Sequence, residues 1–416
     1  MGTTPVMDEA EGHRGQVVDL LRDVIHSPSL SGSEEEVVGR LLQEMVALGY
    51  DEIVSDPFGS AVGRIGSGPT TIVYDSHIDT VDVGSRSEWA RDPFEPALEG
   101  GLDGGIVHGR GASDNKAGIA SMIHGAALAR DLGRLDGVTL YVVGSVQEET
   151  CDGLALEHLL TEVLPRPDVV VLGEATGCKL YRGHRGRVEV AVRSRGTSCH
   201  ASAPERGHNP VYDLAAVISD IEALNSRLGY DDFLGSGTIA LTKIECETPS
   251  LNAVPATATL YVDRRLTLGE TPEGAIDELR SLPSVQAVNG EVSLLRYEKT
   301  SYTGMTLSSD KYFPTWVTAP DHESVQAGLA AGEEALGRQP EVGHWVFSTN
   351  GCTSAGRLGL STVGFGPADE VHAHTAHDQC PTDDLVQSMA FLASFPSAFT
   401  SRRQTREGSE HPQPVE

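Results

Sequence analysis

Three short apolar runs that alternate with helical patterns constrain the fold of this chain more than any other feature. The runs lie at residues 71–74, 138–143 and 169–172, and each has the length and composition of a buried strand. Helical patterns follow Asp114 up to about residue 132 and cover residues 154–163. Strands in alternation with helices predict an α/β fold, in which a mixed, mostly parallel sheet is flanked by helices.

A different pattern begins at about residue 185. Its strand and helix patterns follow the order β-α-β-β-α-β, and the second helix starts at Thr271-Pro272, with a cap residue followed by proline. This order is typical of a ferredoxin-like α+β unit, which we expect to be inserted as a lid. The predicted parts are a main domain at residues 1–184 and 299–400, the lid at 185–298 and a disordered tail at 401–416.

The first residues of the chain and the start of one early helix also carry local signals. Residues 1–10 are predicted to be a disordered lead, because they are polar and lack an apolar period. A helix is predicted to begin at Ser33, where Ser33 and Glu36 have the spacing of a capping box.

Composition limits the partners of this chain. Lysine and arginine total 31 against 60 acidic residues, a net charge of −29, which argues against nucleic acid and anionic membranes. Simple solubility and the exclusion of acidic macromolecules both explain that charge. No apolar run reaches the roughly 20 residues of a membrane helix, and the first residues lack the pattern of a signal peptide. The six cysteines are scattered without a C-x-x-C pair, so a cytoplasmic location is expected.

Acidic and imidazole side chains follow the predicted strands. His77, the pair Glu148-Glu149, and Glu174 each come shortly after one of the three apolar runs. The carboxyl ends of parallel strands share one edge of the sheet, where ligands gather. Asp114 opens the helix beside them, so we expect these groups to converge.

Each of these groups has a plain reading when taken alone. His77 could be a loop histidine beside an unrelated Asp79, and Asp114 could cap a helix. Glu148 and Glu149 could lie in a solvated loop, although adjacent carboxylates near a buried strand favour a cation that neutralises them. His374 is one of three histidines in residues 372–377, of which only one need bind a metal.

Taken together, these motifs resemble the peptidase M20 family of two-zinc aminoacylases, deacylases and exopeptidases. Ser-His-x-Asp at residues 76–79 matches the first motif, and Gly-x-Gly-x-x-Asp-x-Lys at 109–116 the second. The paired Glu148-Glu149, the acid of Gly173-Glu174 and the closing Ala373-His374 match the rest. The resemblance extends over about residues 12–395, and Phe-Gly-Pro at 365–367 resembles the YgeY-type branch.

The resemblance implies a metal ligand set and catalytic roles. Two zinc ions, or cobalt or manganese ions as substitutes, would be bridged by Asp114. His77 and Glu174 would complete one metal site, and Glu149 and His374 the other. Glu148 would be the general base and later the proton donor, and Asp79 would orient His77.

The resemblance also assigns roles to the lid. His200, in a segment similar to the family's lid motif, would reach an active site, often that of a partner subunit, so a homodimer through the lid is expected. Asn252 and Arg265 would hold a substrate carboxylate, which suits the planar fork of arginine. Two departures affect the substrate detail: Asn350 stands where many relatives carry aspartate, and His377-Asp378 replaces the commoner Asn-Glu.

The leading hypothesis is therefore a two-zinc amidohydrolase acting on an amide of a small carboxylated molecule, an N-acyl amino acid or a short peptide. An enzyme that hydrolyses N-carbamoyl or other C–N groups on the same site is the alternative. A catalytically silent metal-binding protein is a third reading, against which the intact Glu148 argues. The chain has no Gly-x-Ser-x-Gly, His-Glu-x-x-His or phosphate-binding loop, so serine hydrolases, zincins and nucleotide enzymes lack support.

Overall fold

The computed structural model describes residues 4–410, and their side chains as far as Arg403. Its helices are α1 Pro5–Gly12, α2 Arg14–His26, α3 Glu35–Ala47, α4 Lys116–Asp131, α5 Leu154–His158, α6 Pro210–Leu224, α7 Pro272–Arg280, α8 Pro283–Ala287, α9 Glu323–Leu336 and α10 Thr382–Glu410. Its strands are β1 Glu52–Ser55, β2 Ala61–Gly66, β3 Thr70–His77, β4 Ala97–Glu99, β5 Ile106–His108, β6 Val138–Ser145, β7 Val169–Leu172, β8 Leu180–His184, β9 Gly186–Arg195, β10 Tyr230–Asp231, β11 Gly235–Ser236, β12 Thr238–Glu247, β13 Thr257–Leu266, β14 Glu291–Leu294, β15 Arg296–Thr300, β16 Thr306–Asp310, β17 Tyr312–Phe313, β18 Trp316–Val317, β19 Val342–Trp345, β20 Thr362–Gly364 and β21 Gln379–Pro381.

The main sheet confirms the predicted mixed, mostly parallel architecture. Its strands run in the order β1-β2-β6-β3-β7-β20-β8-β18, and β19 also pairs with β8. The central strands β6, β3, β7 and β20 are mutually parallel, whereas β1, β2, β8 and β18 pair antiparallel with their neighbours in this order. Strand β19 is parallel to β8. Helices cover the central strands, which is why they read as continuous apolar runs instead of alternating ones.

A second sheet forms the lid. Its strands run in the order β12-β13-β9-β14, all antiparallel, and β17 also pairs with β9. Helices α6, α7 and α8 contribute Val217, Leu279 and Val285 to a separate apolar core on this sheet. The chain order β-α-β-β-α-β is thus the predicted one, and the result is a ferredoxin-like lid.

The chain crosses between the two sheets at two adjacent places. Arg185 separates β8 of the main sheet from β9 of the lid, and Pro314 and Thr315 separate β17 from β18. The backbone N–H of Gly186 donates to Thr315 Oγ1 at 3.0 Å, so the crossings are hydrogen-bonded to each other. The predicted lid end at residue 298 falls inside β15, and the lid sheet still receives β17 beyond it.

Three local predictions at helix ends are wrong. Of the lead predicted to be disordered at residues 1–10, residues 1–3 lie outside the described part, and α1 begins at Pro5. Thr4 Oγ1 caps this helix at the N–H of Met7, and Val6 and Ala10 are buried. Helix α3 has Glu34 at its N-cap position and no side-chain capping bond, so the predicted capping box at Ser33 does not form. Helix α10 continues to Glu410 through the predicted tail, whose last residues, 411–416, lie outside the described part.

Within residues 4–410, no helix combines the length and the apolar character that crossing a bilayer requires.

Candidate metal centre and active site

Parallel pairing brings the acidic and imidazole groups to one edge of the main sheet. His77 is the last residue of β3, and β3 lies between β6 and β7. Glu148 and Glu149 follow β6 within a few residues, and Glu174 follows β7. Because the three strands are parallel, their carboxyl ends deliver these side chains to the same pocket.

Asp114 lies between two histidines. Its Oδ1 is 2.9 Å from Nε2 of His77, and its Oδ2 is 3.2 Å from Nε2 of His374. Each histidine also has its own acidic neighbour: Glu174 Oε1 is 3.6 Å from His77 Nε2, and Glu149 Oε2 is 3.0 Å from His374 Nε2. All five side chains predicted to bind metal therefore converge, in two groups that share Asp114.

The predicted base lies beside this cluster. Glu148 Oε2 is 4.0 Å from His77 Nε2, and its side chain is buried. The pocket encloses about 280 Å³. Its lining residues are His77, Asp114, Glu148, Glu149, Asp152, Glu174, Arg187, Arg265, Phe347, Ser348, Glu370, Ala373 and His374.

Burial perturbs the protonation of the acidic groups. It raises the pKa of Glu174 to about 8, and it raises the pKa of Glu148 well above its usual range, with the charge of Asp152 acting in the same direction. For Asp114, burial works to raise the pKa, but hydrogen bonds with His374 and His77 lower it. The hydrogen bonds of His374 with Asp114 and Glu149 raise the pKa of His374 to about 10.

This donor set fits divalent cations. Six carboxylates line one pocket together with two imidazoles, and burial disfavours the negative charges of several of them. His77, Asp114 and Glu149 place ligand atoms within 4.8 Å of one another. Imidazole and carboxylate are ligands that zinc accepts. Without a metal, several of these carboxyl groups keep a proton to stay neutral, and divalent cations would supply the positive charge in place of those protons.

Asp79 contacts His77 more closely through its main chain than through its carboxylate. The nearest partner of His77 Nδ1 is the main-chain oxygen of Asp79 at 3.0 Å, whereas the carboxylate Oδ1 lies at 3.5 Å. The carboxylate instead accepts the backbone N–H groups of Glu148 at 3.0 Å and Glu149 at 3.1 Å. Asp79 thus orients the ring through its backbone and holds the acidic pair through its side chain.

The structure does not bring every predicted residue to the pocket. Arg265 lines it, with Asp263 bound to its Nε and Nη2. His200 and Asn252 lie outside the lining, both exposed on the lid. His200 Nδ1 accepts the N–H of Ser202 at 3.1 Å, and the segment bridges to Ala253.

Sequence reasoning missed an ion pair in the pocket wall. Arg187 Nη2 donates to Asp152 Oδ1 at 2.5 Å, and the Arg187 guanidinium lies over the ring of Phe313, 4.3 Å from its centroid. The other carboxylate oxygen of Asp152 accepts the hydroxyl of Ser348. The sequence signal was an arginine at the second position of a lid strand, and such a position does not specify a partner.

The two departures from the family motifs have structural roles. Asp378 accepts the N–H groups of Gly111 and Ser113, both at 2.7 Å, and pairs with Arg110 at 2.9 Å. It therefore fixes the turn that leads into Asp114. Asn350 does not line the pocket; it bonds to buried groups behind it.

Known proteins resemble this chain over much of its length. It is 41% identical over 394 residues to an uncharacterised Escherichia coli K12 protein, YgeY, covering 95% of this chain and 97% of that one. It is 29% identical over 291 residues to succinyl-diaminopimelate desuccinylase of Gluconacetobacter diazotrophicus, covering 66% of this chain and 74% of that one. Residues 182–291 match the family described as the peptidase dimerisation domain.

Solved structures share the fold at low sequence identity. The dipeptidase Dug1p of Saccharomyces cerevisiae superposes with a TM-score of 0.71 at 15% identity, covering 98% of each chain. The M20 family metallo-carboxypeptidase Sso-CP2 of Sulfolobus solfataricus gives 0.70 at 19% identity, covering 92% of this chain and 99% of that one.

Proposed function

Because the chain belongs to the M20 family of metallopeptidases, we propose that it is a metal-dependent amidohydrolase that cleaves an N-acyl or peptide bond of a small carboxylated substrate. The observation that carries this proposal is the placement of Glu148, a buried carboxylate, beside two imidazole–carboxylate groups that share Asp114. Relatives described as a desuccinylase, a dipeptidase and a carboxypeptidase all act on amides.

We assign two zinc ions to the centre. His77 and Glu174 would hold one ion, Glu149 and His374 the other, and Asp114 both. Its two oxygens face different histidines, which is the arrangement that a bridging carboxylate needs. When bound, such ions lower the pKa of water to about 7 and polarise a carbonyl oxygen.

Glu148 moves the proton in this proposal. Its carboxylate takes a proton from the water whose oxygen adds to the amide carbon. The same proton then passes to the amide nitrogen as the C–N bond breaks, which leaves a carboxylic acid and an amine. The acid then gives its remaining proton to the amine or to solvent, so the products are a carboxylate and an ammonium group. Burial supports this role, because a raised pKa lets the carboxyl group hold the proton between the two steps.

Arg265 is proposed to bind the substrate carboxylate. Arg265 lines the pocket, and its Nη1 is buried without a hydrogen-bond partner among the described residues. A buried donor without an acceptor costs free energy, so an anionic ligand would supply what the protein does not. Asn252, which is exposed on the lid, would join the site only from another position of the lid or from a partner subunit.

A homodimer through the lid is proposed to complete the site. Strand β12 is an edge of the lid sheet, and Ile244 on it is half exposed. Unpaired sheet edges are templates for association with another chain. His200 lies on the same unit and away from its own pocket, which supports a role in the site of a partner subunit as a donor to the oxyanion.

The six cysteines are all free thiols, which supports a cytoplasmic enzyme.

Hydrolysis of a substrate panel tests the proposal. Zinc-loaded protein should release amine from N-acyl amino acids or dipeptides, and Glu148→Gln should bind metal but lose about 10²–10⁴-fold in kcat. Glu162→Gln, at an exposed position, is the control. Turnover of N-carbamoyl amino acids alone would replace the proposal with the carbamoylase alternative. Metal binding without any turnover would favour a silent metal-binding protein.

A further inference from the structure

The turn that carries Glu148 begins with an unusual backbone conformation. Gln147 is fully buried and has φ of +56°, in the left-handed region that non-glycine residues seldom adopt. Such a conformation persists only where surrounding groups hold it in place. The groups that hold Gln147 therefore decide how Glu148 enters the pocket.

Three consecutive backbone N–H groups of this turn donate to buried carboxylates. The N–H of Gln147 donates to Glu34 Oε1 at 3.2 Å, and those of Glu148 and Glu149 donate to the two oxygens of Asp79 at 3.0 and 3.1 Å. Both carboxylates are completely buried. Buried backbone N–H groups need a hydrogen-bond acceptor, so together these bonds fix the peptide planes of the turn.

Glu34 is tied to its own loop by a second bond. Its Oε1 also accepts the N–H of Gly32 at 2.8 Å, so one oxygen joins the segment before α3 to the turn after β6. The same loop reaches Asp79 independently, since Ser31 Oγ donates to Asp79 Oδ2 at 2.6 Å. Glu34 itself does not line the pocket. Its direct bond to the turn that carries Glu148 is the one to the backbone N–H of Gln147.

We propose that Glu34 is a positioning residue for Glu148. The carboxyl group of Glu34 holds Gln147 in the left-handed conformation, and this conformation directs Glu148 into the pocket. This inference rests on the proposed role of Glu148 as the base. The side chain of Gln147 has a separate anchor, because Tyr297 donates its hydroxyl to Gln147 Oε1 at 2.8 Å. Glu34 thus acts on the backbone and Tyr297 on the side chain of the same residue.

Steady-state kinetics of the zinc-loaded protein test this role. Glu34→Ala removes the acceptor, and we expect kcat to fall about 10–100-fold, since a misplacement of about 1 Å can cost 10²-fold. KM and metal content should stay within twofold of wild type, because Glu34 touches neither substrate nor ligand atoms. Glu34→Gln keeps an oxygen acceptor and should recover part of the rate. Glu36→Gln, at an exposed position of α3, is the matched control.

Tyr297→Phe provides a second, milder variant. It should lower kcat less than Glu34→Ala, and the double variant should lose less than the product of the two single losses, because both anchors hold one residue. A kcat of Glu34→Ala within threefold of wild type would overturn the proposal. Parallel loss of metal or an equal rise in KM would also overturn it, since Glu34 would then support the fold in general.

A crystal structure of each variant tests the inference without turnover. In Glu34→Ala, Gln147 should leave the left-handed region and the Glu148 carboxylate should move, whereas Glu36→Gln should leave both in place. An unchanged Gln147 and Glu148 would refute the inference. If wild-type protein hydrolyses no amide but these shifts occur, the positioning role stands and the proposed reaction is the part that fails.

Discussion

Individual buried polar residues support the metal centre from behind. Asn350 Nδ2 donates to Asp75 Oδ2 at 2.8 Å and to Ser145 Oγ at 3.0 Å, and its Oδ1 accepts the N–H of Gly153 at 2.6 Å. This one amide therefore joins β3, β6 and the turn before α5. An amide suits the position because it both donates and accepts.

Asn350→Asp should destabilise the protein. The new carboxylate would face that of Asp75, whose pKa burial already raises to about 6. One of the two acids must then keep a proton that the unfolded chain releases, so the free energy of unfolding should fall as pH rises from 5 to 8. We expect a loss of about 3 kcal/mol at pH 8, measured by denaturant titration. Asn289→Asp, at an exposed position, is the control; equal stability of both variants across this pH range would contradict the prediction.

His184, the last residue of β8, should make the fold sensitive to acid. It is fully buried beside Trp316, and burial lowers its pKa to about 4. Below pH 6.5 the unfolded chain takes up a proton that folded His184 does not. Stability should therefore fall as pH drops from 6.5 to about 4, by roughly 3 kcal/mol, since one pKa unit corresponds to about 1.4 kcal/mol.

The contribution of His184 is measured by comparison. The free energy of unfolding of His184→Phe should lose this part of its pH dependence, whereas His26→Phe, at an exposed position, should keep the wild-type slope. If the wild-type and His184→Phe curves run parallel between pH 7 and 4, another group is responsible.

At the scale of elements, helix capping separates two positions with similar sequence signals. Thr271 has extended backbone, and its Oγ1 accepts the N–H of Gly274 at 3.1 Å, with Pro272 as the first residue of α7. Ser33 has a comparable motif, but α3 begins after Glu34 and no side chain caps it. Glu34 is instead held toward the turn of Gln147, so tertiary contacts displaced the local cap.

Alanine substitutions at these two positions should differ. Thr271→Ala should lower the free energy of unfolding by about 1 kcal/mol, because it removes the acceptor for a backbone N–H. Ser33→Ala should change it by less than about 0.5 kcal/mol, as is usual for exposed sites without such a bond. Thermal or denaturant unfolding of the two variants measures the difference, and equal losses would contradict this account of the caps.

At the scale of the whole molecule, the exposed position of His200 leaves its role to assembly. Glu148→Gln and His200→Ala should each be nearly inactive, with losses of about 10²–10³-fold expected for one oxyanion donor. Metal content should not change in either variant. If His200 serves the pocket of a partner subunit, a dimer of one chain of each kind contains one complete site.

Mixed dimers test this arrangement. Differently tagged variants, co-expressed and purified by both tags, should recover up to half of the activity of a wild-type dimer. Dimers of each single variant, purified the same way, are the controls. Inactive mixed dimers would exclude action across the dimer, and a monomeric protein with full activity would remove the dimer from the mechanism.

Local patterns in the sequence were sufficient for the three central strands and for the convergence of the groups that follow them. Residues 71–74, 138–143 and 169–172 were predicted as strands and form the cores of β3, β6 and β7. Side-chain periodicity and apolar content reflect burial directly, and parallel strands necessarily end at one edge. For the same reason, the side chains that follow these strands or open the next helix could be expected to lie together: His77, Asp114, Glu148, Glu149 and Glu174. The position of His374 follows from no such strand pattern.

Only the tertiary structure decided which groups support the centre. Glu34 bonds to Gln147 across 113 positions and Ser348 to Asp152 across 196, and no local pattern encodes either pair. The sequence likewise gave no means to separate the carboxylate of Asp79 from its main-chain oxygen as the partner of His77. Hydrogen bonds depend on distances of a few tenths of an ångström, and these are set by how the sheet, the lid and the first helices pack together.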